Sequence, residues 1–288
     1  MKPLIKKFRT VDEAVNSYFN NEEDLKRKLR SERITSGNWY SSMMGLCKRA
    51  HYFSRQNLPI DMKEDRNNFV TELGNMTHEY ISKACYHSGI LICSEKTIID
   101  PDTNLKGRFD NLVQLTRGIA MVDIKSQRPE AFFKRTKDKD KVKHHQKVQL
   151  ASYDYLANKY LPYIYPELVN KKTGKVVDYC IIYYVDRGGG CRDEIPLRFS
   201  DSFIKKYVLD ELDTLNSYYD RKVIPPSEAW GTWQCKYCGY KKRCTELRIK
   251  YKENMKAKDL KSKANNNKKQ KNELTNIRNT RQRQTKLF

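Results

Sequence analysis

Two runs decide the fold: LKGRFDNLVQL at residues 105–115 and GIAMVDIKS at residues 118–126, separated by Thr116 and Arg117. Both are rich in β-branched and apolar residues, and the TRG between them is turn-prone, so they predict an antiparallel hairpin. ILICSEKTIID (90–100), ending on the turn-prone PDTN, adds a strand and makes the set a meander. Side chains two apart on a strand share a face, so Asp123 and Lys125 point the same way while Ile124 enters the core. The hairpin brings Asp110 toward Asp123. Two carboxylates beside an amine form a hard-oxygen site suited to Mg²⁺ or Mn²⁺. An ion held there lowers the pKa of a water and offsets charge on a phosphate, with Lys125 placed to orient or deprotonate that water.

Outward from the hairpin the periodicity changes. Within residues 64–89, Phe69, Leu73, Met76, Tyr80, Ile81 and Ala84 make an apolar stripe at helical spacing, and Gly89 can end the helix. PEAFFKRTKDKDKVKHH (129–145) predicts a basic, mobile connection into a helix over about 142–160. VVDYCIIYYV (176–185) is apolar on both faces, as a central strand requires. EIPLRF (194–199) is a further strand, and residues 200–222 form a helix that Ser200 or Asp201 can cap. Val11, Ala14, Val15, Tyr18, Phe19, Leu25 and Leu29 give residues 10–30 near-helical spacing, interrupted at Asn20 and Asn21. Helices, strands, helix, strands, helix in that order predict a mixed α/β fold with helices packed on a sheet.

Around the hairpin stand further polar residues at defined spacing. Gly74 and His78 lie four apart on the earlier helix, Gly107 and Asp110 on the first strand, and Gln149 and Tyr153 four apart on the later helix. This ordered set, G-x-x-x-H, G-x-x-D, D-x-K and Q-x-x-x-Y, resembles the PD-(D/E)xK nuclease superfamily. Within it the match is to the RecB-type branch, which includes the CRISPR adaptation nucleases and AddB-type nuclease domains. The resemblance implies a restriction-endonuclease-like core. It implies His78, Asp110, Asp123 and the backbone carbonyl of Ile124 as metal ligands, Lys125 as the catalytic lysine, and Gln149 and Tyr153 as active-site or DNA-contacting residues. Phe109 stands where the superfamily name has proline, and Gln146 where many relatives have histidine.

Of eight cysteines, Cys235, Cys238 and Cys244 form C-x2-C-x5-C, three thiols close enough to wrap one inorganic centre. Cys47 lies far upstream in SSMMGLCKRAHYF (41–53), which resembles the N-terminal cysteine segment of iron-sulfur RecB-type nucleases, with Arg49 at C-x-R. Four thiolates suit a cubane cluster or structural Zn²⁺, and the resemblance implies [4Fe-4S], clipping residues 41–53 to residues 230–245. Cys85, Cys93, Cys180 and Cys191 have no partner at ligand spacing and read as buried thiols.

The chain of 288 residues carries 57 Lys plus Arg against 35 Asp plus Glu, a net +22, with a mean hydropathy of −0.85. That excludes a membrane protein and fits a polyanionic partner. Residues 245–288 hold 14 basic against 4 acidic residues, +10, and read as a basic, largely disordered tail. Its last five residues, Gln284 to Phe288, resemble a sliding-clamp docking peptide with Gln284, Leu287 and Phe288 as anchors. Lys-rich residues 134–147 and the aromatic side chains of Phe132, Phe133, Tyr237 and Tyr240 can flank or stack on unpaired DNA. No P-loop is present, so unwinding falls to a partner helicase. The expected organisation is a helical segment over 1–40, a nuclease core over 41–245 and the tail over 246–288. The expected protein is a cytoplasmic DNA exonuclease for single-stranded or frayed ends in replication, recombination or repair, at the nucleoid or in a phage-infected cell. The alternative is a DNA-binding or clamp-tethered factor that keeps the fold without cutting.

Overall fold

The computed structural model describes residues 37–61, 65–138, 140–227 and 231–250, the side chains of 65–69 excepted. The helical spacing at 10–30, most of the tail and the Gln284, Leu287 and Phe288 anchors lie outside the described residues. The chain divides into two units, Met1–Gly239 and Tyr240–Phe288. In the second, residues 241–250 are helical. The first holds everything else described below. Among the described residues no helix is long and apolar enough to cross a membrane.

The first unit is built on a mixed six-stranded sheet: β1 (Trp39–Tyr40), β2 (Leu91–Asp100), β3 (Leu105–Leu115), β4 (Gly118–Gln127), β5 (Tyr179–Asp186) and β6 (Arg192–Leu197). The meander forms as its turn chemistry predicts, with β2 antiparallel to β3 and β3 to β4. β5 lies parallel to β4 and is paired on its other edge by β6, so it is central, as its two apolar faces require. One edge of β3 is shared. β4 pairs with it over Asn111 to Leu115, and β1 runs parallel to it at Leu105 and Lys106. Between those two pairings β3 and β4 part, and the opening falls at residues 107–110 of β3 and beyond Val122 of β4.

The helices are α1 (Lys48–Arg55), α2 (Asp65–His87), α3 (Pro129–Lys137), α4 (His144–Ile164), α5 (Asp201–Ile204), α6 (Asp210–Asp220) and α7 (Trp233–Lys236), with a π-turn at Lys205–Leu209 joining α5 to α6. Ser200 caps α5 through the Phe203 amide. On one sheet face Val113, Ala120, Val122, Ile124, Tyr179 and Ile181 form a core that Ile81 and Cys85 of α2 cover. Each fully buried aliphatic side chain there contributes about 1.5–3 kcal/mol. On the other, α4 buries Val148, Leu150, Ala151, Leu156, Ala157 and Leu161 and packs on β2, β3 and β5.

Three expectations are corrected. Residues 129–137 form helix α3 rather than a mobile connection: Pro129 starts it, Phe132 is buried, and Arg135 lies over the Tyr184 ring with its guanidinium on Asp193. Phe132 is therefore unavailable for stacking on a base. The apolar stripe of α2 is buried only in part: Ile81 packs on the sheet, but Met76 and Tyr80 face solvent, Tyr80 at 73% exposure. Helical spacing shows which residues share a face, and the face turned to the sheet is the one on which His78, Ser82 and Cys85 join Ile81 and find partners. Cys191 is exposed, whereas Cys180 is buried and Cys85 and Cys93 half-buried. None of the eight cysteines is in a disulfide.

Candidate metal-dependent active site

The site sits in the opening between β3 and β4. His78, Asp110, Asp123, Lys125, Gln149 and Tyr153 line one cleft of about 680 Å³, together with Tyr40, Ser42, Asn75, Glu95, Thr97, Lys106 and Arg108. Asp110 stands on β3 where pairing to β4 has ended. Its Oδ2 accepts the backbone N–H of Ile124 at 2.6 Å, taking an amide that the departed strand leaves over. Its Oδ1 lies 3.4 Å from His78 Nδ1 on α2.

Asp123 and Lys125 project from β4 toward α4, with Ile124 in the opposite core. Lys125 Nζ lies 3.0 Å and 2.8 Å from the two Asp123 oxygens and donates to Gln149 Oε1 at 3.2 Å. Gln149 Nε2 in turn donates to Tyr153 Oη at 3.0 Å, a bond that the four-residue spacing on one helix face permits. The Q-x-x-x-Y pair is thus a clamp on the lysine. Gly107 makes room for it: a Cβ there would meet Leu156 Cδ1 at 2.7 Å, Ser41 Oγ at 2.8 Å and Tyr153 Cδ1 at 2.9 Å.

Electrostatics divide the site. Burial raises the pKa of Asp123, which is 2% exposed, and the neighbouring Asp110 charge adds to the rise; Lys125 opposes both. The pKa of His78 rises as well, but there the rise favours the charged form. Burial works against its charge, but the hydrogen bond and charge of Asp110 outweigh that and raise its pKa. Burial, with the Asp123 charge, pushes the Tyr153 phenol far up, so it stays a neutral hydrogen-bond partner. A buried carboxylate with raised pKa beside a second carboxylate and an imidazole is stabilised by a divalent cation. The donor set therefore fits Mg²⁺ or Mn²⁺.

The rim is anchored from β1. His51 Nε2 accepts the Tyr40 amide at 2.8 Å, and burial, aided by Arg55, lowers its pKa to about 3, keeping it a neutral acceptor. Arg55 stacks between Trp39 and Tyr219, at 4.3 Å and 3.9 Å, and shares Asn216 Oδ1 with the Trp39 indole. Gln146 is not in the cleft. It takes the Tyr184 hydroxyl at 2.7 Å and the Lys143 amide, a packing and capping role.

Glu95 is the residue that the motifs do not mark. Its carboxylate, His78 and Asp110 offer ligand atoms within 4.8 Å of one another. Its signal lay in the hairpin count: pairing Asp100 with Leu105 across the four-residue turn sets Glu95 opposite Asp110.

Among the cysteines, the Cys47 amide donates to Gln234 Oε1 at 2.9 Å, so residue 47 lies beside the turn that carries Cys235 and Cys238. Cys244 belongs to the second unit.

No family model and no curated protein matches the chain. Solved structures similar to it include the one titled SSO0001, 17% identical over 79% of this chain and 94% of that one, with a TM-score of 0.44. Another is an alkaline exonuclease from Laribacter hongkongensis, 16% identical over 65% of this chain and 94% of that one, with a TM-score of 0.37.

Proposed function

We propose that the protein is a metal-dependent DNA nuclease that hydrolyses phosphodiesters in the β3–β4 cleft, an exonuclease on single-stranded or frayed ends. One observation carries the reading. Six motif residues from α2, β3, β4 and α4, distant in sequence, line one cleft in mutually supporting contacts. Asp110, Asp123, His78 and the Ile124 carbonyl hold Mg²⁺ or Mn²⁺, which supplies charge neutralisation at the phosphate and a more acidic water. Lys125, fixed by Asp123 and Gln149, keeps donor capacity for the attacking water or a phosphate oxygen. As the new P–O bond forms, the bond to the leaving oxygen breaks, and the proton released from water is returned to that oxygen. Tyr153 holds Gln149, and through it the lysine. The net +22, with Lys106 and Arg108 lining the cleft, favours a polyanion.

The cysteines belong to the same reading. Cys47, Cys235, Cys238 and Cys244 are proposed ligands of a [4Fe-4S] cluster, with Zn²⁺ as the alternative, supported by their spacing and by the Cys47–Gln234 bond. Anaerobically purified protein is then brown, with about four irons per chain; colourless protein with one zinc selects the alternative. A sliding clamp at Gln284, Leu287 and Phe288 and a helicase complete the proposed partners.

The test is cleavage of end-labelled single- and double-stranded DNA with Mg²⁺ or Mn²⁺. Metal-dependent shortening from ends supports the reading. Binding without cleavage at any metal concentration would favour the non-cleaving DNA-binding factor.

A further inference from the structure

Glu95 occupies an unusual place. It lies in the middle of β2, yet its φ of +52° is left-handed, a conformation that costs a side-chain-bearing residue and that the ladder does not require. Its neighbours pair normally, Ser94 with Asn111 and Lys96 with Phe109, so the position interrupted between them faces Asp110. The turned-out carboxylate does two things. It stands within ligand distance of His78 and Asp110, and its Oε2 holds Arg108 Nε at 2.9 Å. Arg108 lines the same cleft two residues before Asp110, with Lys106 two residues further back, so cations on β3 lead to the carboxylates.

Resting on the nuclease reading above, we propose that Glu95 is shared between Arg108 and the divalent ion, and so couples ion binding to phosphate binding. Without the ion, Arg108 neutralises Glu95. With it, Glu95 joins His78, Asp110 and Asp123 as a fourth side-chain ligand, and the guanidinium is released to a backbone phosphate beside the scissile one. Ion and DNA then favour each other's binding, because each needs one half of the ion pair that opposes both. The competing account is a rim salt bridge with no such role. Side chains 67% and 45% exposed make an isolated pair worth little, so the geometry alone does not separate the two.

A double-mutant cycle separates them. Mn²⁺ affinity is measured by calorimetry on the full chain without DNA, for wild type, Glu95→Gln, Arg108→Ala and the double variant, with circular dichroism confirming that each is folded. Glu95→Gln is expected to weaken Mn²⁺ binding about tenfold or more. Arg108→Ala is expected to tighten it in the wild-type background and to do nothing in the Glu95→Gln background, the non-additivity that a shared ligand requires. A bare field effect of the guanidinium would tighten binding equally in both backgrounds and would overturn the proposal, as would a Glu95→Gln protein with unchanged affinity. In a second arm, a Lys125→Ala background leaves DNA intact. There Mn²⁺ is expected to tighten binding of a labelled oligonucleotide more with Arg108 present than after Arg108→Ala; equal tightening in both contradicts the hand-over. The Mn²⁺ titration needs no cleavage. A wild type that cuts DNA while all variants bind Mn²⁺ alike sinks this inference alone, and a wild type that binds no Mn²⁺ sinks the nuclease reading with it.

Discussion

Two buried aspartates lie on the same three-strand meander and are treated in opposite ways. Asp100, at the end of β2 and 0% exposed, is surrounded by donors. Tyr160 at 2.7 Å, Tyr155 and Thr103 at 2.8 Å, Lys159 at 3.0 Å and the Asp102 amide at 3.1 Å all reach its carboxylate. Burial pushes its pKa up, but those hydrogen bonds prevail and bring it down to about 2. Asp123, equally buried on β4, has Lys125 as its single side-chain hydrogen-bond partner among the described residues and Asp110 as a neighbour of like charge, and its pKa rises. The fold satisfies one carboxylate completely. It leaves the other short of positive charge, in a cleft, beside an imidazole and two more carboxylates. Asp100 is finished by the chain itself, and the proposed active site leaves Asp123 to be finished by something that binds.

The comparison breaks or sharpens under substitution, and the largest effect belongs to the unfinished acid's partner. Lys125→Ala is expected to lower cleavage by at least about a hundredfold while leaving oligonucleotide affinity within a few-fold, since phosphate contacts elsewhere supply most of it. Cleavage within a few-fold of wild type would remove the lysine from the mechanism. Asp100→Asn is expected to act on stability alone, costing about 3–5 kcal/mol because Lys159 and two tyrosines lose a buried anion. Chemical denaturation reads it, and an unchanged midpoint would show the donors to be satisfied without the charge. Next comes Gly107→Ala. The added methyl meets Leu156, Ser41 and Tyr153 within 3 Å, an overpacking worth about 1–3 kcal/mol, and cleavage falls too because Tyr153 shifts the Gln149–Lys125 chain.

Smallest is the acid limb of the stability curve. A carboxylate whose folded pKa lies below its unfolded value contributes stability above the unfolded pKa, and that stability is lost as pH falls through the folded one. Asp100 therefore supports the fold fully above about pH 4 and withdraws that support toward pH 2. Comparing Asp100→Asn with wild type from pH 5 to 2 should show the difference between them shrinking; a constant difference would contradict the hydrogen-bond account.

Much of this was legible in the residues. The meander, the central strand β5 and the long helices α2 and α4 follow from alternation, turn residues and spacing, and the six motif positions are those that the family resemblance implies. What was hidden has physical causes. The face that α2 buries carries, beside Ile81 and Cys85, polar contacts of His78 with Asp110 and of Ser82 with Asn111, which a hydrophobic stripe cannot register. Helix α3 is short and charged, and its buried anchors Phe132 and Arg135 are recognisable only once Tyr184 and Asp193 are beside them. Glu95 looks like an ordinary acid on a strand until the turn length fixes the register, and its left-handed backbone has no sequence mark at all. Asp100 reads as the last residue before a turn, and three of its donors, Tyr155, Lys159 and Tyr160, come from α4, 55 to 60 positions away.

The most direct measurement is made on one variant, Asp123→Asn, by thermal melting in chelator and by DNA cleavage in Mn²⁺ on the same preparation. Burial holds the folded pKa of Asp123 above its unfolded value, so its stability contribution is present at low pH and lost as pH rises through the folded pKa; at neutral pH the ionised carboxylate is a cost. The neutral amide removes that cost, and the account predicts a melting temperature equal to wild type or higher, with cleavage lost. A variant that melts well below wild type, or one that cuts DNA as wild type does, would contradict the claim that this acid is kept for catalysis rather than for the fold.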